Sequence, residues 1–378
     1  MNDTKKVVHI TTVHHPLDPR IYYKQCHSLQ KAGYDVTLIA PSSSDLKGEN
    51  TVPVIPLKKY KNRFISMLLS PIEAYKKAKE LKADYYHFHD PEFLPAAWLL
   101  KKKHNTVFYD IHEDYETGIV TRDYLTKPLR IVISKIYKLI EKVFSKNMEL
   151  VLAEKYYKEK YPRGNCVLNY PILNENLINK RRDTSKVENK LLYTGNVTTD
   201  RGALTHAALP NIDENMSVYF YGRCPEWLAE QMLEVAGENK EQLYIEGINR
   251  YVPKEEIDHS YISKQWLAGL ALFPPSEHYK KKELTKFFEY MTAGIPIICS
   301  NFKVWKDFID KYRCGIAVDP YNEEEIRQAI NYLRSNPAEA KKMGENGRKA
   351  VLKELNWGKE EEELISLYQR MQADSTPK

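Results

Sequence analysis

Residues 284–301, LTKFFEYMTAGIPIICSN, constrain the fold of this chain most tightly. The segment predicts a helix, a glycine stop at Gly294 and, past Pro296, a short strand. Ile295, Ile297, Ile298 and Cys299 leave that strand no polar face. A strand apolar on both sides belongs in a parallel sheet with helices covering each face. Lys286 and Glu289, three residues apart, share one face of the helix. They make either a solvent-facing ion pair of small energetic value or a cation and a carboxylate held ready for a ligand.

The same alternation runs along the chain. Residues 7–13 predict a strand, followed by the loop HHPLDPRI, a helix over 22–31 closed by Ala32-Gly33, and a buried strand over 34–40. This is a βαβ unit. Helices follow at 70–82, 94–103 and 129–145, with strands at 85–89, 106–111 and 150–153. The polar stretch 173–190 predicts a linker. The pattern then restarts, with strands at 191–194, 216–221, 243–245, 267–273, 295–299 and 315–318. The expectation is an α/β protein of two Rossmann-like domains, 1–172 and 187–356. The final helix carries a stripe of Trp357, Leu364, Leu367 and Tyr368.

Size and composition agree with two cores: 378 residues exceed what one simple core organises. With 42% apolar and 29% charged residues, disorder is excluded. The five cysteines are scattered and form no C-x-x-C, which excludes a zinc ribbon and a disulfide framework. No apolar run is long enough to span a bilayer, and the amino terminus leads directly into a strand without the pattern of a signal peptide. A cytoplasmic protein is expected. Net charge is +6, yet residues 1–187 hold 32 Lys+Arg against 21 Asp+Glu, a net +11 that leaves −5 for the remainder. A basic first half points to an anionic partner. In the helix over 129–145, Lys135, Lys138, Lys142 and Lys146 lie opposite Ile133, Ile136, Ile140 and Phe144. That helix either rests on an anionic membrane, making the protein peripheral on its inner face, or packs on the sheet with its lysines in water. Residues 60–70 are of the same kind. Nucleic acid is not an expected partner, because no aromatic platform interleaves with the basic residues.

The chemistry-bearing residues fall where strands end, the edge at which such sheets bind ligands. His14, His15, Asp18 and Arg20 follow the first strand. His89, Asp90 and Glu92 follow the third, and His112, Glu113 and Asp114 the fourth. No set has the spacing of a closed metal site, so no metal is expected. G-x-G-x-x-G, the P-loop and G-x-S-x-G are absent as well, which removes dinucleotide, P-loop and acyl-transfer readings. In the second half, Gly195-Asn196, Arg201-Gly202, Gly222-Arg223 and the loop YIEGINRY containing Ile248 lie at corresponding edges. Backbone amides beside an Arg suit phosphate. With Lys286 and Glu289 added, the cations suit a diphosphate and the carboxylate suits a ribose diol.

Taken in order, HHPLDPRI, HFHDPEFLPAAWLL, YDIHEDY, VLNYP, YTGNVTTDRG and FEYMTAGIPIICS resemble the motifs of glycosyltransferase family 4, whose fold is GT-B. The DIHE and FEYM–AGIP runs are the most specific. The resemblance implies two Rossmann-like domains facing across a central cleft, with the last helix crossing back to the first domain. It implies a retaining, metal-independent glycosyltransferase without a cofactor. The donor would be a UDP-sugar or another nucleotide-diphosphate sugar, and the acceptor a glycan or lipid-linked hydroxyl in surface polysaccharide or glycolipid synthesis. By position, Glu289 matches the glutamate on the donor ribose, Arg201 a phosphate-binding cation, and His112 the histidine near the transferred sugar. Gly195, Asn196, Gly202, Gly222, Arg223, Ile248 and Thr285 are implied as donor contacts. His14, His15, Arg20, His89, Asp90 and Glu113 are implied at the acceptor. The chain departs from the family at Asn196, where many members carry Arg, and at Lys281, where a second Glu is usual. Lys286 is placed to supply the missing phosphate cation. Two other readings share these residues: a nucleotide-sugar epimerase of GT-B shape, and a catalytically silent sugar-nucleotide-binding protein.

Overall fold

The computed structural model describes residues 4–43, 51–112, 115, 126–179, 187–277 and 279–374. The chain divides into two compact units, Met1–Asn169 with Trp357–Lys378, and Tyr170–Asn356. No described helix is long and apolar enough to cross a membrane.

The first unit is a seven-stranded sheet in which every pairing is parallel. Its strands are β1 (Lys6–Ile10), β2 (Asp35–Pro41), β3 (Val54–Leu57), β4 (Tyr85–Phe88), β5 (Thr106–Ile111), β6 (Glu149–Leu152) and β7 (Asn165–Cys166). The spatial order is β3-β2-β1-β4-β5-β6-β7, so the winding reverses between β1 and β4. Separate apolar clusters cover the two faces, one including Val8, Ile10 and Phe88, the other Val7, Leu38 and Phe108. Strand β3 was not among the expected strands, and it carries Pro56, a residue uncommon within sheets. At the sheet edge, however, a proline leaves no ladder bond unmade.

The helices of this unit are α1 (His27–Lys31), entered through a π-helical turn over Pro19–Cys26, then α2 (Arg63–Leu81), α3 (Leu94–Leu100) and α4 (Lys127–Phe144). Helix α2 begins seven residues before the expected start at 70. Asn62 caps it by accepting from the Phe64 and Ile65 amides, and the helix continues through Pro71. The carboxy-terminal helix, Trp357–Asp374, packs into the same core. Trp357 donates its indole N–H to Ser28 Oγ at 2.9 Å, and Tyr368 Oη lies 2.8 Å from His87 Nδ1.

The second unit holds β8 (Lys190–Thr194), β9 (Ser217–Cys224), β10 (Leu243–Ile248), β11 (Ala268–Ala271), β12 (Ile297–Ser300) and β13 (Gly315–Val318). Their order is β10-β9-β8-β11-β12-β13, again all parallel, with the reversal between β8 and β11. Part of the expected linker is ordered as a short helix, Glu175–Asn179, with Leu177 buried. The helices that matter below are α5 (Lys254–Ser263), α6 (Thr285–Ala293) and α7 (Pro337–Lys353). Phe287, Tyr290 and Met291 bury one side of α6 completely, each contributing about 1.5–3 kcal/mol. Tyr290 Oη lies 3.1 Å from the Leu192 carbonyl and 3.2 Å from that of Leu270, and it receives the Thr194 amide at 3.3 Å. A single hydroxyl therefore pins α6 beneath the β8/β11 reversal. Gly294 ends the helix at φ +70°, and Ile297–Ser300 is buried throughout.

Candidate active site

The crevice beyond the carboxyl ends of β8 and β11 is where a doubly wound sheet accommodates a ligand. Lys286, on the first turn of α6, reaches toward it. Its ammonium sits 3.5 Å from the Tyr193 ring centroid and 4.8 Å from that of Phe273. The residue is 92% buried, and Nζ has no hydrogen-bond partner. Burial, then the like charge of Arg201, holds this ammonium well below the usual lysine range, with Glu289 pulling the other way. An interior cation with only ring faces for company lacks the hydrogen bonds that burial normally requires.

Arg201 lies across the same reversal. It donates from Nε to Tyr279 Oη at 3.0 Å, and Tyr279 donates to Asp200 at 3.0 Å. Two glycines keep the loops this close. A Cβ on Gly202, at φ +76°, would meet the Leu272 carbonyl oxygen at 2.0 Å, and one on Gly222 would meet that of Gly195 at 1.9 Å. Asn196, Arg223, Ile248 and Thr285 are exposed around them.

Glu289 does not pair with Lys286, which overturns the surface ion-pair reading. Its Oε2 accepts from Tyr261 Oη at 2.7 Å, and its Oε1 lies 3.3 Å from Lys254 Nζ. Tyr261 Oη is also 3.0 Å from Thr194 Oγ1. The tyrosine has one proton, so it donates to the carboxylate and accepts from the threonine. Burial lowers the Lys254 ammonium, but the Glu289 and Asp258 carboxylates outweigh it and hold the group above its ordinary value. The Glu289 side chain remains 20% exposed. Each oxygen thus has one internal partner and lone-pair capacity left for a diol.

In the first unit the strand-end residues bond mainly to one another. Register sets His9 beside His87 on neighbouring strands, with His89 following on the same face. The three imidazoles stack, with centroids 4.6–5.4 Å apart. His89 Nδ1 is 3.0 Å from Asp110, and its Nε2 is 3.1 Å from His9. Arg20, implied at the acceptor, turns inward. It donates to both Asp110 oxygens at 2.9 and 2.7 Å and to the Val167 carbonyl at 2.9 Å. His89 and Asp90, also implied there, are buried. Asp90 accepts from Thr11 Oγ1 at 2.7 Å and the Thr12 amide at 2.6 Å.

More accessible are His112 and His14, whose Nε2 atoms are 2.9 Å apart. One of them donates and the other accepts. Burial pushes the His112 imidazole down, opposed by Asp110 and reinforced by His14. His15 is exposed and lies 2.9 Å from Ser43 Oγ. Glu113 falls outside the described residues.

His87, His89 and Asp110 each bring a ligand atom within 4.8 Å of the others. The donor set does not fit a metal. Asp110 is taken by Arg20, both His89 nitrogens are engaged, and stacked rings aim their in-plane lone pairs past a common point.

Two sequence families match the chain: Glycosyltransferase Family 4 over residues 19–154 and Glycosyl transferases group 1 over residues 285–350. The chain is a GT-B glycosyltransferase of group 1. No curated protein matches it in sequence. Among solved structures, sucrose-phosphate synthase from Thermosynechococcus elongatus is 18% identical with a TM-score of 0.72, covering 98% of this chain and 100% of that one. A glycosyltransferase from Rickettsia africae is 14% identical with a TM-score of 0.73, covering 97% and 98%. Anabaena HepE, solved with UDP, is 9% identical with a TM-score of 0.70, covering 97% and 100%.

In this glycosyltransferase the group 1 match begins at Thr285, so it contains Lys286 and Glu289. Sequence reasoning missed Lys254, Tyr261 and Tyr279 as partners of the implied donor residues. For α5 a signal existed: Lys254, Asp258 and Tyr261, at i, i+4 and i+7, share one helix face. Glu277 and Glu283, the nearest carboxylates to the departure at Lys281, are engaged elsewhere. Glu277 pairs with Lys280 at 2.9 Å, and Glu283 accepts from Tyr170 at 3.2 Å.

Proposed function

We propose that this glycosyltransferase binds a UDP-sugar in its second unit and transfers the sugar, with retained anomeric configuration and without a metal, to a hydroxyl of a glycan or lipid-linked acceptor in surface polysaccharide or glycolipid synthesis. The observation carrying the donor half is the unpartnered Lys286 ammonium at the β8/β11 reversal, with Glu289 one turn further along the same helix. A diphosphate supplies the anionic acceptors that Lys286 lacks. A ribose diol donates two hydrogen bonds to the open capacity of Glu289. UDP is the first nucleotide to test, because the neighbour HepE has been solved with UDP and with UDP-glucose.

In the reaction, the bond from the anomeric carbon to the diphosphate oxygen breaks as the acceptor oxygen bonds to that carbon. The electron pair leaves on the diphosphate, which takes up the acceptor proton. Lys286 and Arg201 stabilise the charge growing on the diphosphate, the form of catalysis in which preorganised cations contribute most. His112, held toward its neutral state, is assigned to a sugar hydroxyl. His14 and His15 are assigned to the acceptor side. Arg20, His89 and Asp90 act as positioning residues for these histidines, and peripheral membrane contact belongs to the acceptor reading.

The test is a thermal-shift comparison of UDP, GDP and ADP, each with and without its sugar. At one hundred times its dissociation constant, the correct ligand stabilises the second unit by about 2.7 kcal/mol. Absence of any shift at millimolar concentration overturns the donor site. NMR of the transferred linkage with the matching sugar reports retention, and activity that survives chelation reports metal independence.

A further inference from the structure

Large apolar side chains are exposed on three adjoining helices of the first unit. On α4, Val132, Ile136, Leu139 and Val143 recur at helical spacing, and between 51 and 63% of each is exposed. Phe64 and Leu68 on α2 are 75% and 65% exposed, and Trp98 and Leu99 on α3 are 51% and 49% exposed. Helix α3 packs against both α2 and α4, and the Trp98 ring meets Phe144 of α4 edge-on at 5.9 Å. The three helices therefore lie side by side, each with large apolar side chains exposed. Exposed apolar side chains in such number on neighbouring helices mark a docking site.

The charge beside it selects the occupant. Lys135, Lys138 and Lys142 form an exposed stripe along α4 next to the apolar one. Lys58, Lys59 and Lys61 precede α2, and Lys102 and Lys103 follow α3; all five are exposed. A cavity of about 290 Å³ opens between α3 and α4, with Trp98, Leu99 and Phe144 as apolar walls and Lys101 and Lys102 beside them. An apolar face with an indole at its edge and a lysine stripe alongside matches the boundary between acyl chains and anionic headgroups. A second copy fits less well, because it would bring lysine stripes of like charge together.

We propose that the α2–α3–α4 face of the first unit docks on an anionic lipid bilayer. The apolar residues enter the acyl boundary, the lysines meet headgroup phosphates, and the helices lie in the plane of the surface. Docking does not use the donor residues, so its failure leaves nucleotide binding by the second unit intact.

The experiment is flotation of the full chain with vesicles of phosphatidylcholine alone and of phosphatidylcholine mixed with phosphatidylglycerol. Binding is expected only to the mixed vesicles, weakening as salt is raised. A double Ile136→Glu, Leu139→Glu variant, which alters exposed positions only, loses binding and keeps its UDP thermal shift. Replacing Lys135, Lys138 and Lys142 by Gln lowers binding about 100-fold, at roughly five-fold per lysine. Tryptophan emission shifts to the blue on binding, and the shift disappears in Trp98→Phe. Three results overturn the proposal: no binding to mixed vesicles, unchanged binding by the double-glutamate variant, or a dimer that this variant dissociates while vesicles leave the wild type unbound.

Discussion

Arg20 in the first unit and Lys286 in the second are both buried cations near the carboxyl edge of a parallel sheet, yet their surroundings differ. Arg20 is ion-paired to both Asp110 oxygens through Nε and Nη2, Nη2 also donates to the Val167 carbonyl, and Nη1 alone lacks a partner. Lys286 touches aromatic faces and no hydrogen-bond acceptor. A buried charge held by a bidentate counter-ion inside the protein is a structural device, whereas one with no hydrogen bond at all is incomplete until a ligand arrives. Similar residue types at similar edges therefore carry different functions, and the accounting of hydrogen bonds separates them.

The largest expected effect tests the structural side. Arg20→Ala leaves Asp110 buried without its guanidinium, with His89, Gln25 and, at 3.7 Å, His112 beside it. Breaking such a pair costs about 3–5 kcal/mol. Hydrogen exchange in β1, β4 and β5 should accelerate accordingly, while UDP still protects the second unit. A variant with wild-type exchange rates would make Arg20 a ligand contact after all.

How far the sequence reveals this difference depends on distance along the chain. Local rules suffice for residues 284–301: apolar periodicity, a glycine stop and a run of branched residues indicate α6 and β12. They also place Lys286 and Glu289 on one face. They do not show that the Tyr193 and Phe273 rings meet the Lys286 ammonium, because those rings come from β8 and from just past β11. Likewise the Arg20–Asp110 pair joins the first loop to β5, and no short-range pattern encodes it. The two doubly wound α/β domains were legible because each βαβ unit is local, and the GT-B reading came from the motif resemblance. Edge strand β3 was not legible, because Pro56 is an ordinary loop signal until the strand is known to lie at an edge.

The second prediction concerns the incomplete cation. Lys286→Met keeps the volume and the ring contacts and removes the charge. UDP affinity should fall about 10- to 100-fold, the scale of one or two charge-assisted hydrogen bonds. The free protein should become more stable by about 1 kcal/mol, since an unmade buried hydrogen bond costs about 1–3 kcal/mol and cation–π contact returns up to about 2. Lost affinity with retained stability is the reverse of what Arg20→Ala produces. Calorimetric titration and denaturant unfolding measure the two quantities separately. Unchanged affinity for every nucleotide diphosphate would remove Lys286 from the donor site.

The smallest effect is in proton linkage. In the free protein, burial and Arg201 hold the Lys286 ammonium well below 10.5. Below that ordinary value the unfolded chain binds more protons at this position than the folded chain does. This group therefore makes the free second unit more stable as pH rises toward 10.5. A bound diphosphate brings negative charge and moves the pKa back up. Binding then draws in a proton wherever the free amine is neutral, and UDP affinity should decline with rising pH by at most about ten-fold per unit. Titration in two buffers of different ionisation enthalpy reports that uptake directly. Wild type should take up as much as one proton per site over part of the range below pH 10.5, and Lys286→Met none. Equal uptake by wild type and Lys286→Met would mean that the donor meets some other titrating group, and the contrast between the two buried cations would then rest on their partners alone.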